Sequence, residues 1–120
     1  MAGWFRAGAL LAALAVALGA FGAHGLKGRV DPDMLAVWNT AAHYHLVHAL
    51  ALLATAWAGE RWPSRLPGWA GRLFAVGILL FSGSLYAMVL TGQRFLGAIT
   101  PFGGLAFLAA WIALARSARS

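Results

Sequence analysis

The sequence contains no cysteine, one glutamate and two aspartates among its 120 residues. The missing thiols exclude disulfides, thiolate metal sites and cysteine nucleophiles. The shortage of acids leaves no carboxylate inside any long apolar run. Nothing there can orient a catalytic histidine or serve as the membrane acid of a proton-coupled pump. Charge of either sign is scarce, at 10% of residues, where a soluble domain carries roughly 25%. Hydrophobic residues make up 62%. An ordinary water-soluble fold is excluded, and several membrane spans in one small domain are implied. The net charge of +6 does not point to nucleic acid, because the basic residues sit singly at the ends of apolar runs.

What is present is a set of long apolar segments with histidine in one of them. The stretch from Trp38 to Ala58 is long enough to cross a bilayer and holds three of the four histidines, His43, His45 and His48. Ionisable groups are costly in hydrocarbon, so this stretch is the first place to look for a function.

In chain order, the segment from Ala7 to Leu26 has no charge and can span alone. A secretory signal with Arg6 as basic flank is disfavoured, since no soluble mature domain follows. Ala15, Gly19 and Ala23 form a small-residue row at four-residue spacing, suited to close helix approach. Asp31 with Pro32 predicts an N-cap and first helical position for the second helix. Trp38 and Trp57, roughly 28 Å apart along a helix, are read as its two interface anchors. Residues 59–71, with two prolines and three glycines, predict a long polar connection, with Arg72 opening the third span. Thr100-Pro101 predicts a kink in the fourth, weakened further by Gly103-Gly104.

The expected fold is therefore all-α: an integral membrane four-helix antiparallel bundle in a single domain, spanning near 7–26, 35–58, 73–91 and 95–115. Six arginines (6, 61, 65, 72, 116 and 119) fall on the side holding both termini; Lys27, Arg29 and Arg94 fall on the other. The positive-inside rule then gives both termini in the cytoplasm of a multi-pass inner-membrane protein.

At 100° per residue, Thr40, Ala41, Tyr44, His48, Ala51 and Thr55 share one small and polar face of the second helix. Leu46, Leu50, Leu53 and Trp57 face the other way and suit lipid. His45 borders the polar face and His43 lies away from it. Counting depth by helical rise places His48, Ser82 and Ser84 near the midplane and Tyr44 and Tyr86 a turn higher. His24 and Thr100 come about 8–11 Å above the midplane. Ser82 and Tyr86 share a face, and Ser84 points elsewhere. The expected cluster is His24, Tyr44 and His48, supported by Thr40, Ser82, Tyr86 and Thr100.

Three chemistries compete for that cluster. It could bind or pass a small solute or ion, with histidine and tyrosine as relay groups. His24 and His48 could instead hold a transition metal or haem, although about 11 Å of helical rise separates them. Or the polar groups could hold helices in register by hydrogen bonds. Trp111 and the phenylalanines are read as packing. No serine sits in a glycine-framed nucleophile elbow, so the expectation is a protein that is not a classical enzyme and carries no cofactor. Its expected partners are the bilayer and further copies of itself, since four short helices enclose too little volume for a pore.

The ordered motifs also resemble a known family. Gly19-Ala-Phe-Gly-Ala-His-Gly-Leu26, Trp38-Asn-Thr-Ala with Tyr44 and His48-Ala-Leu, Phe81-Ser-Gly-Ser-Leu-Tyr86, Thr91-Gly92, and Thr100-Pro-Phe-Gly-Gly104 with Trp111 are similar to those of domain of unknown function 423. These are small bacterial membrane proteins, related to eukaryotic transmembrane protein 256. The resemblance implies four spans in the inner membrane and no established activity. It also implies that His24, Tyr44 and His48 carry the motif, whereas the positions of His43 and His45 accept other residues.

Overall fold

The computed structural model describes residues 1–119, and every regular element among them is helical. Helix α1 (Ala2–Phe21) runs into a π-helical turn, Gly22–Leu26, and α2 covers Pro32–Arg61. Helix α3 (Leu66–Gly77), a π-helical segment Ile78–Gly83 and α4 (Ser84–Thr91) form one continuous rod. A 3₁₀ turn, Arg94–Ala98, leads into α5 (Thr100–Ser117). The four rods make a bundle measuring 50 × 26 × 19 Å, long enough to cross a bilayer of about 40–45 Å including its headgroup layers.

Three rods are long and apolar enough to cross a membrane: Ala2–Leu26, Leu66–Thr91 and Arg94–Ser117. The rod formed by α2 falls short of that apolarity, because Asp33, Asn39, Thr40 and three histidines interrupt it. Its position in the bundle is central. Helix α2 packs against α1, α3, the π segment, α4 and α5, and eleven of its residues are buried. Leu50 and Trp57, expected on its lipid side, are among its exposed large apolar residues.

Small residues set how closely the rods approach. A methyl group added at Gly8 of α1 would come within 2.8 Å of the Ala49 carbonyl oxygen of α2. Ala15 is buried in the same seam and Gly19 meets Ala42. Ala23, expected to continue the row, is exposed. The π turn inserts extra backbone, and Gly22 takes the inward position instead. Its missing side chain leaves a slot for the Trp38 indole, whose Nε1 donates to the Leu18 carbonyl at 2.7 Å. Trp38 is therefore 1% exposed and belongs to the core, not to the interface belt predicted for it.

Two other expectations change. The α2–α3 connection is short, because α2 continues to Arg61 and α3 begins at Leu66, with Pro67 in its first turn where a missing N–H costs little. Gly71 lies inside α3 because the Trp4 ring of α1 packs on it. Pro101 does not kink a helix: it sits in the first turn of α5, after the 3₁₀ turn has already broken the rod. Elsewhere the local signals are legible. Helix α2 begins at Pro32 after Asp31, though Asp31 makes no side-chain capping bond, and α4 ends on Gly92 at φ 75°.

The seam between the third rod and α5 is closely packed. Gly77 lies against the Phe107 ring, and Gly103 lies against the backbone of Leu80 and Phe81 in the π segment. A methyl at Gly103 would overlap the Phe81 nitrogen, whereas a methyl at Gly104 would meet nothing within 4 Å. Gly103→Ala should therefore lower stability by about 1–3 kcal/mol, the usual cost of overpacking. Gly104→Ala should be neutral or stabilising by about 0.5–1 kcal/mol through helix propensity. Reversible unfolding in detergent checks the pair, and equal effects would contradict the packing assignment.

Candidate functional site

The residues singled out from the sequence fall into separate groups, not one column. His48 anchors the first. Its Nδ1 lies 2.7 Å from the Tyr44 carbonyl oxygen, one turn back in α2, and its Nε2 lies 3.1 Å from the Trp111 indole Nε1 of α5. A carbonyl can only accept and an indole N–H can only donate. The bonds thus define the tautomer: Nδ1 carries the proton and Nε2 offers its lone pair to Trp111. The imidazole also stacks on Phe107, with centroids 3.6 Å apart and planes 5° from parallel. His48 is 4% exposed.

His45 centres the second group. Its Nδ1 is 2.9 Å from the Tyr86 hydroxyl, and Trp38 packs on Tyr86 with centroids 4.6 Å apart. His45 Nε2 is buried without a hydrogen-bond partner, although the Leu11 backbone of α1 faces the imidazole. The remaining hydroxyls stitch elements together. Ser82, in the π segment, donates to the Ala41 carbonyl of α2 at 2.8 Å. Ser84 shares a 2.7 Å hydrogen bond with Thr100 across the α4–α5 pair.

His24 is exposed on the π turn and Thr40 is exposed on α2; neither bonds to the other groups. Tyr44 lies between inside and outside. Its ring packs on Phe81 at 4.7 Å, yet the residue is 41% exposed. Both nitrogens of His48 are engaged, so a metal or haem there would first have to displace the Trp111 or Tyr44 bond. Among the described residues no group of three or more potential ligand side chains could hold a metal ion.

Three residues do more in the structure than the sequence alone suggests. His45 borders the polar face on a helical wheel, yet it is buried because α2 has neighbours on several sides. Trp111, expected to be packing, carries an indole N–H that needs an acceptor in an apolar helix and finds it in His48. Ser84, expected to point elsewhere, meets Thr100. Beside these groups, α2 and α5 leave a lateral groove of about 590 Å³, bordered by Tyr44, His48, Phe81, Pro101, Gly104 and Trp111.

The model of the family described as "Protein of unknown function (DUF423)" matches residues 18–104, which include Tyr44, His45, His48, Ser82, Tyr86 and Thr100 but stop short of Phe107 and Trp111. The chain belongs to the DUF423 family. Among curated proteins it is 49% identical over 110 residues to the UPF0382 membrane protein YwdK of Bacillus subtilis, covering 88% of this chain and 86% of that one. It is 48% identical over 107 residues to the UPF0382 membrane protein SAB0533 of Staphylococcus aureus, covering 89% and 87%. A third relative, UPF0382 membrane protein SH2409 of Staphylococcus haemolyticus, is 44% identical over 107 residues with the same coverage. No solved structure matches the chain. This DUF423 member is thus an integral membrane protein of an uncharacterised family.

The Trp111–His48 bond makes a direct prediction. Trp111→Phe keeps an aromatic ring but leaves Nε2 without its donor, and should cost about 0.5–1.5 kcal/mol in the membrane-mimetic state. A double-mutant cycle with His48→Leu, read by reversible unfolding in mixed micelles, should return a coupling of that size. Additive effects would show that the bond contributes nothing.

Proposed function

We propose that this is a four-span protein of the bacterial cytoplasmic membrane that binds a small, largely apolar molecule from the lipid phase in the groove between α2 and α5. The observation that carries this reading is the groove itself. It opens laterally, its walls are aromatic and aliphatic, and the half-exposed Tyr44 is available as a polar contact at its edge. Ligand pockets of that kind, apolar with few polar groups, are the usual sites for small molecules. Tyr44 and His48 form the centre of the proposed site, and Trp111 and Phe107 hold His48 in one orientation. Ser82, Tyr86 and Thr100 support the helices around it, while His24 and Thr40 lie outside it.

The topology follows from the same reasoning. At 1.5 Å per residue the 30 residues of α2 reach about 45 Å, and its polar side chains are largely sheltered by neighbouring helices. A central helix can span with less apolarity than its neighbours. The arginine excess at the end holding both termini supports placing that end in the cytoplasm.

Passage of a solute through the bundle has less support. His48, Ser82, Ser84 and Thr100 have their hydrogen bonds taken up by one another, by Trp111 or by the backbone. That same pairing favours a second reading, in which the polar groups are cross-links and the protein is a scaffold for partner helices.

Gly104 separates the readings, because it borders the groove and a β-carbon there meets no protein atom within 4 Å. Mass spectrometry of organic extracts from gently purified protein should find a small molecule near one per chain. Gly104→Leu should reduce it at least about tenfold, as expected when a ligand's room is filled, with folding intact. Extracts holding no such molecule, or the same amount in the variant, would overturn the ligand reading and leave the scaffold.

A further inference from the structure

The opposite end of the α2–α5 seam carries a second feature, which the ligand groove does not absorb. The start of α1, the end of α2, the start of α3 and the end of α5 converge there. Met1 packs on Gly59, Trp4 packs on Gly71, and the Trp62 indole donates to the Arg119 carbonyl at 2.8 Å. An apolar groove of about 340 Å³ runs inward from this end between α2 and α5, bordered by Trp57, Trp62, Leu114 and Ala115 and reaching Trp111 at its inner end. Trp57 and Trp62 meet edge to face at its mouth, with centroids 5.1 Å apart.

Above that mouth stands Arg61. Its guanidinium lies over the Trp62 ring, 5.5 Å from the centroid. Stacking of this kind orients a guanidinium while leaving its N–H donors free for a planar or tetrahedral oxyanion. Among the described residues no carboxylate lies within 4 Å of Arg61. The neighbouring Glu60 is within 3.4 Å of the terminal amine of Met1, on the α1 side. Arg65, Arg116 and Arg119 belong to the same end, where basic residues outnumber the one acidic side chain, Glu60.

We propose that this end binds one anionic phospholipid, with its phosphate on Arg61 and an acyl chain in the groove beneath Trp62. A cation at headgroup level, an aromatic collar and an apolar furrow below it match the three layers of a phospholipid in order. Charge complementarity selects an anionic headgroup over a zwitterionic one. The inference rests on the membrane reading but not on the ligand groove beside Tyr44.

The test uses the full chain in mixed micelles of phosphatidylglycerol and phosphatidylcholine, with retained lipid counted by native mass spectrometry. The protein should retain phosphatidylglycerol about fivefold or more over phosphatidylcholine, the scale expected for one well-placed arginine. Arg61→Gln should remove the preference. Arg29→Gln, which removes the same charge from the other end, should leave it intact. Ala115→Phe, which fills the furrow from an exposed position, should lower retention of both lipids, whereas Gly104→Leu should not alter it. No preference in the unaltered protein, or equal losses in Arg29→Gln and Arg61→Gln, would overturn the proposal. So would undiminished retention in Ala115→Phe. A result in which phosphatidylglycerol retention survives while the Gly104→Leu extract experiment fails would sink only the ligand groove.

Discussion

The arrangement depends on keeping the polar side of α2 away from lipid. In hydrocarbon, every backbone and side-chain polar group needs a partner within the protein, and α2 carries more such groups than any other rod. The fold surrounds it. Helix α1 covers the Trp38–Ala42–Ala49 side, the π segment receives the Ala41 carbonyl, and α5 brings Trp111 to His48. Because lipid tails are as apolar as leucine, the hydrophobic effect does little to hold these rods together. Close van der Waals contact and hydrogen bonds must do it. That explains why glycine and alanine line the seams and why the large apolar side chains Leu10, Leu79, Leu105 and Leu108 face outward.

The two π-helical stretches are where this economy of contact is arranged. At Gly22–Leu26 the extra residue rotates α1 so that a glycine, not Ala23, meets α2, and the Trp38 indole enters. At Ile78–Gly83 the widened turn lets Ser82 reach the Ala41 carbonyl and presents backbone against Gly103. Insertions of this type recur at functional sites because they re-aim side chains without ending a helix. Here both lie beside the histidine groups.

Much of this was legible in the sequence, and the misses share a cause. Pro32 after Asp31, the glycine stop at 92 and the outward Leu50 and Trp57 are local signals, each fixed by the residue's own chemistry. The roles of Trp38, His45 and Trp111, by contrast, depend on what stands opposite them. An indole becomes core only where Gly22 makes room for it, and a histidine bordering one helical face becomes buried only when a further rod covers that border. The π turns were invisible for the same reason. A 3.6-residue period assumes no inserted residue, and nothing local to Ile78–Gly83 announces one. The family resemblance supplied order along the chain but could not supply these pairings.

The pair Gly103–Gly104 ties the packing to the proposed site. The first glycine faces inward and lets α5 close onto the π segment, which brings Phe107 under His48 and Trp111 beside it. The second faces the groove, where any side chain would take up the room beside Tyr44 and His48. Pro101 begins the helix in which both sit, so the groove starts where α5 starts. A bundle needing only tight packing would require the first glycine and would gain helix propensity from alanine at the second. The glycine at 104 costs α5 some helical stability and provides no contact in return, which is the arrangement expected if the space itself is used.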